Sequence, residues 1–307
     1  MEGRTMATLY ADLADTRLAE ILAAELMFSR ADRNALINHP ALRYVGDLTA
    51  TGSATVKQSD LTFMGADLLA AVLDGATVAE TVITDASYNV TISRRAKRYI
   101  PSDLARVTDS YGHLDPTMFA QDATLSAGLT LTSLVAGLMG GFSNVFGTSG
   151  SNLTIQDFED AVTNLEINNV EGPYMAILHG RQWGDLRDSI RTATGTVAFD
   201  PASPEMIRMR GTGYKGAIYG VDLFVSNYVP TANAGADRAG GVFGNGAVLW
   251  ADASIPANPS IVGINAGKVL MEMERDAAAA TTDFVTSYFL GVAEGDDTRG
   301  AALITDA

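Results

Sequence analysis

The chain has 307 residues, of which 47% are hydrophobic and 19% charged. That is enough apolar material for one large or two interleaved domains with a proper core, and it argues against long disorder. The formal charge of −15 disfavours gripping a phosphate backbone. With no cysteine, disulfides, thiolate metal sites and Cys nucleophiles are excluded. The histidines His39, His113 and His179 stand far apart, without the short spacing a zinc hydrolase needs.

The first ~30 residues predict an amphipathic helix, because Leu9, Leu13, Leu18, Ile21, Leu22 and Leu26 recur mostly at three- and four-residue steps. Glu2, Asp12, Asp15, Glu20 and Glu25 interrupt any apolar secretory core in this segment. His39-Pro40 stops the helix, since a residue before proline avoids the helical region.

Residues 44–93 read as extended and polar. Thr49 to Thr55 is small and polar, Leu68 to Leu73 ends at a turn signal Asp74-Gly75, and Val78 to Thr84 and Asn89 to Ser93 have strand character. The expectation is a long hairpin or flap. Arg94-Arg95-Ala96-Lys97-Arg98 follows, the one dense basic patch of the chain. It is either a solvated strand face or an interface. A short helix starts near Pro101 or Ser102.

The firmest helix runs over 115–141. Asp115 suits the N-cap, Pro116 the first helical position and Gly140-Gly141 the stop. About 24 residues at ~1.5 Å each span roughly 36 Å. Its leucines lie on more than one side, so it is expected to be largely buried. The segment 123–139 is uncharged, but Thr, Ser and Gly dilute it below what a membrane span needs. A Gly/Ser loop occupies 144–152. A helix then begins at Thr154 with Ile155, Phe158, Val162 and Leu165 on one face. A strand is expected at Tyr174 to Leu178, and a helix at Gln182 to Ile190 with Trp183, Leu186 and Ile190 inward.

Beyond 194 strands and turns dominate: 214–219 and 221–226 around Gly220, then 269–274, 284–292 and 301–304. Glu294-Gly295-Asp296-Asp297 predicts a hairpin-like turn between the last two. Helices and strands do not alternate strictly, so the class is α+β.

The chemical motifs are weak. Gly211 to Gly216 has no P-loop order and leads into a strand, so a turn is favoured over a nucleotide site. Glu272 and Glu274 share a strand face, but Arg275 and Lys268 favour a solvated charged edge over acid–base work. Asp283, Asp296 and Asp297 lack the spacing of a calcium loop. His179 lies between a strand and a helix without a partner motif, which favours a packed histidine over a catalytic base. Trp183 and Trp250 read as core or interface anchors. No catalytic residue, cofactor or metal ligand is expected.

The order of segments is the strongest signal. The basic strand Val90-Thr91-Ile92-Ser93-Arg94-Arg95-Ala96-Lys97-Arg98-Tyr99-Ile100-Pro101-Ser102-Asp103 precedes the long helix. Gly172-Pro173-Tyr174-Met175-Ala176-Ile177-Leu178-His179 follows it, and later comes Gly216-Ala217-Ile218-Tyr219-Gly220-Val221-Asp222-Leu223-Phe224-Val225-Ser226-Asn227-Tyr228-Val229-Pro230. This arrangement resembles the tailed-bacteriophage major capsid proteins with the Hong Kong 97-type fold. The resemblance implies an N-terminal arm (1–43), an E-loop (44–93), a P-domain with a long spine helix (94–145 and 267–307) and an A-domain (146–266). It implies a virion shell subunit, made in the bacterial host cytoplasm, that forms hexamers and pentamers around double-stranded DNA without sequence-specific binding. The family's partners include scaffolding, portal and decoration proteins; no membrane is involved. Arg94, Arg95, Lys97, Arg98 and Lys57 are the expected inter-subunit contacts. The family's Lys–Asn cross-link is not expected, since nothing brings Lys57 to Asn265. An encapsulin-like compartment shell is the neighbouring reading, and an acidic α+β hydrolase using His179 is the rival from another class.

Overall fold

A computed structural model describes residues 36, 39–48, 53–61, 85–109, 114, 116–193, 199–211, 213–254, 263–265 and 269–306. The expected N-terminal helix, the segment 68–84 and the cap residue Asp115 lie outside them. In chain order the elements are β1 (Leu42–Asp47), β2 (Thr55–Leu61), β3 (Asp85–Thr91), β4 (Ser93–Tyr99), α1 (Asp103–Thr108) and α2 (Pro116–Leu138). A 3-10 turn (Met139–Gly141) and β5 (Val145–Phe146) lead to α3 (Ile155–Ile167), β6 (Tyr174–Leu178) and α4 (Gly180–Thr192). Then come β7 (Phe199–Pro201), α5 (Pro204–Arg210), β8 (Tyr214–Ile218), β9 (Val221–Val225) and β10 (Thr231–Ala232). The chain continues through β11 (Asp237–Phe243), β12 (Val248–Asp252), β13 (Gly263–Asn265), β14 (Val269–Asp276), β15 (Thr281–Glu294) and β16 (Gly300–Asp306).

Most helix starts follow from local chemistry. Ser102 accepts the Ala105 N–H at 3.2 Å and caps α1. Thr154 and Asp157 form a reciprocal capping box on α3, whose Phe158, Ala161, Val162 and Leu165 are buried. The short helix α5, capped by Ser203 with Pro204 at its first position, was not expected. Helix α2 runs unbroken through Gly128, as the sequence predicts. Its Thr124, Thr130 and Thr132 hydroxyls donate to carbonyls one turn back, so none of the three is stranded. By length and composition it could cross a membrane, yet it lies along β15 with Leu131, Val135 and Ala136 buried by the protein. The expectation that it is largely buried fails on one stripe: Met118, Leu125 and Leu129 remain exposed, at 44%, 39% and 39%.

One sheet has the order β1-β12-β15-β14-β13, with β4 also on β15. The long β15 takes β14 on one edge. On the other it takes β4 over Phe284 to Leu290 and β12 over Leu290 to Glu294. The second sheet runs β5-β16-β11-β6-β9-β8-β7, with β10 on β11. Strands β15 and β16 therefore lie in different sheets, and the expected hairpin at 294–297 is instead a crossing between them. The link from β11 to β12 crosses beside it: Gly295 N–H donates to Ala247 O at 2.8 Å and Asp296 N–H to Gly246 O at 3.1 Å. A Cβ on Gly295 would stand 2.2 Å from Gly246 O, so only glycine admits this approach.

These crossings also redistribute the chain relative to contiguous domain boundaries. β12 and β13 join the sheet of β4, β14 and β15, whereas the terminal β16 sits in the other sheet. One core under α2 spans both sheets, from Phe119, Leu131 and Met139 to Met175, Phe243, Trp250 and Phe284. A second lies between the larger sheet and α3/α4. The β2–β3 hairpin is a separate two-stranded ladder, Thr55 to Leu61 against Asp85 to Thr91. Its base is anchored by Val90 and Ile92 packed on Leu249 and Ala251.

Candidate assembly surface

The basic strand β4 pairs along its whole length with β15, yet residues 93 to 98 are all exposed. Its alternation divides the cations between two faces. Tyr99 and Lys97 turn toward α2. The Tyr99 ring stacks on Phe119 at 4.8 Å, and Phe119 contacts Phe284 at 5.2 Å. The Tyr99 hydroxyl donates to Asp122 at 2.5 Å, and Lys97 donates to the same carboxylate and to Ser126 Oγ at 3.0 Å. The hydrogen bonds from Lys97 and Tyr99 hold the Asp122 carboxyl below the usual carboxylate range. Burial and the adjacent Asp122 push the Tyr99 phenol up.

On the opposite face, Arg94 donates to the buried Ser287 Oγ at 3.0 and 2.8 Å. Arg98 pairs with Asp283, itself 8% exposed. Arg95, on the same face as Lys97, stands opposite Tyr288 in the ladder, exposed and with no acidic partner among the described residues. The sequence thus finds the cations but not their internal partners: Asp122, Asp283 and Ser287 lie 25, 185 and 193 residues away. No local pattern announces such pairings. Lys57 is exposed on β2 opposite Asn89, and Asn265 ends β13.

The residues weighed for catalysis are occupied structurally. His179 caps α4, its Nδ1 accepting the Arg181 N–H at 3.3 Å, and burial with nearby Arg238 and Arg181 holds the imidazole below its ordinary pKa. Gln182, three residues on, is fully buried. Its Oε1 accepts the His179 N–H, and its Nε2 reaches Arg238 O, Leu303 O and Thr305 Oγ1 at 3.0–3.1 Å. Asp296 caps a 3-10 turn, Asp297 accepts the Ser143 N–H, and Asp283 is held by Arg98, so the three acids serve separate ends. Arg275 pairs with Asp103. Trp250 is buried, and Trp183 packs on Phe199. Among the described residues no three His, Asp or Glu side chains are grouped to hold a metal ion.

Sequence reading also missed a cluster that ties the segment before β1 to the second sheet. His39, 5% exposed, lies 2.9 Å from Asp222, which also accepts Tyr214 OH at 3.0 Å and pairs with Arg210. Burial works to raise the Asp222 pKa, but hydrogen bonds from His39, Arg210 and Tyr214 hold it below the usual range.

No protein-family model matches the chain, and no curated protein sequence does. Solved structures do match. The capsid of Ralstonia phage GP4 aligns with a TM-score of 0.60 at 11% identity over 87% of each chain. The SrpI encapsulin of Synechococcus elongatus PCC 7942 aligns with a TM-score of 0.59 at 14% identity, over 90% of this chain and 89% of that one. The capsid of cyanophage P-SCSP1u aligns with a TM-score of 0.57 at 13% identity, over 85% and 86%. At such identities the likeness is one of fold. The chain has the Hong Kong 97-type α+β fold, as its segment order suggests.

Proposed function

We propose that this chain is the major capsid protein of a tailed bacteriophage, a non-enzymatic subunit whose many copies close into an icosahedral head around double-stranded DNA. The observation that carries this reading is the fold match, which covers some nine-tenths of this chain and of the phage capsid chains alike. The exposed apolar stripe of α2 and the exposed cations of β4 are surface that contacts with neighbouring copies could cover. Heterologous contacts that close into hexameric and pentameric rings would tile the shell. The net charge of −15 keeps an inner wall from gripping the genome.

In this reading residues 1–43 are the arm and the β2–β3 hairpin is the base of an E-loop reaching over a neighbour. The spine helix α2 and its sheet form the P-domain, and the sheet under α3 and α4 forms the A-domain. Arg94, Arg95, Lys97, Arg98 and Lys57 face adjacent copies, three of the four β4 cations through networks that begin inside their own subunit. The particle is the virion capsid, assembled in the host cytoplasm with scaffolding, portal and decoration partners. The encapsulin match motivates a second reading, a compartment shell that encloses protein. Negative-stain microscopy of the purified chain decides the class: shells or capsomers are expected, and uniform small single particles would overturn both shell readings. Nuclease-protected DNA in particles from the native source separates the phage head from the compartment.

A further inference from the structure

A cavity of about 170 Å³ opens between β4, β15 and α2. Its lining includes Arg95 and Lys97 from the strand, Ala127 from the helix and Thr286 from β15. Three features set it apart from an ordinary surface dip. Lys97 already has Asp122, and Arg94 and Arg98 have Ser287 and Asp283, whereas Arg95 has no acidic partner among the described residues. Thr286 is 6% exposed, and its hydroxyl finds no hydrogen-bond partner there. An unpaired buried hydroxyl is costly, and each such group asks for a reason. Finally, the small side chain of Ala127 leaves room on the helix side.

We infer that this cavity receives a carboxylate side chain, Asp or Glu, from a second copy of the chain. The inference rests on the shell reading above and names the contact it makes. A guanidinium only donates hydrogen bonds, and a hydroxyl shielded from water lacks an acceptor, so the occupant must accept and carry negative charge. The chain supplies the complement itself, with 36 acidic residues against 21 basic ones. Arg95 is the β4 cation left for that excess to meet.

The cysteine-free chain makes the test clean. Ala127→Cys introduces a single thiol at the cavity wall. Maleimide labelling is expected to be at least tenfold slower in assembled shells than in dispersed subunits. Thr286→Val is expected to act with opposite signs, raising the urea midpoint of the free subunit while lowering the denaturant concentration at which shells dissociate. Arg95→Glu is expected to leave the subunit's unfolding midpoint unchanged and to reduce shell yield at least tenfold, with Arg95→Lys recovering part of it. Equal labelling in shells and subunits overturns the inference. So does protection of the thiol together with wild-type assembly by both Thr286→Val and Arg95→Glu, which would mean a covered cavity that binds no carboxylate. A wild-type chain that forms no oligomer at any concentration overturns the shell reading as well, so the two failures are distinguishable.

Discussion

β4 and β16 are strands of the same length, seven residues each, and both pair antiparallel along their whole length with one neighbour. Their surroundings differ completely. β16 reads Gly-Ala-Ala-Leu-Ile-Thr-Asp, lies between β11 and β5, and is buried over Gly300 to Leu303 beneath α3. β4 reads Ser-Arg-Arg-Ala-Lys-Arg-Tyr, has one strand neighbour among the described residues, and is exposed over all but its last residue. Hydrogen-bonded pairing is therefore not what distinguishes a finished region from an unfinished one. What differs is whether the side chains' needs are met within the subunit. Around β16 they are met by apolar burial and by Gln182. Around β4 they are met in part by Asp122, Asp283 and Ser287, and the rest is left outward. Cations on an edge strand also guard it against indiscriminate pairing, so the same residues that await a specific neighbour discourage a wrong one.

That contrast can be broken most forcefully on the finished side. Phe158 is fully buried between α3 and the larger sheet. Phe158→Ala is expected to cost about 3–5 kcal/mol in urea unfolding, the range for a deep aromatic truncation. A loss under about 1 kcal/mol would mean that this layer is not the closed core described. Gln182→Leu follows in size. It keeps the bulk but strands Arg238 O, Leu303 O and Thr305 Oγ1, each of which costs about 1–3 kcal/mol if left buried and unpaired. Denaturant titration of the isolated subunit measures it, and a stability equal to wild type would show that α4 is docked by apolar contact alone.

The smallest expected effect lies on the unfinished side. Asp122 has a lowered folded pKa, so its contribution is present above the unfolded carboxylate value and fades as the pH falls through the folded one. Its side chain is 47% exposed, so solvent screening limits that contribution to about 0–1 kcal/mol. Asp122→Asn should therefore be slightly less stable than wild type at neutral pH and converge with it in acid. A difference that persists or grows once the folded carboxyl is fully protonated would point to packing and not charge.

Much of the local structure was legible because its causes are local. Pro116 at a helix start, helix beginnings near Ser102 and at Thr154, and the strand at Tyr174 to Leu178 are settled by residues within a few positions of one another. The hairpin expected at 294–297 was misread for the opposite reason. Its turn residues are genuine, but whether a turn joins strands of one sheet or of two depends on Gly246, about fifty positions away. The outward stripe of Met118, Leu125 and Leu129 misled in the same way, because apolar residues on several sides of a helix predict burial without saying whose surface provides it.

From the residues alone came the acidic balance, the cysteine-free chemistry, the basic strand, the unbroken spine helix and the order of segments that resembles a shell subunit. Only the tertiary structure decided how β12, β13 and β16 divide between the sheets, which cations of β4 are already matched and that Arg95 has no acidic partner among the described residues. It also decided that His39 and Asp222, 183 residues apart, share a hydrogen bond. The physical reason is range. Capping, turn geometry and periodicity act over a few residues and are written where they act, whereas a salt bridge or a sheet crossing joins groups whose separation along the chain carries no information about their distance in space.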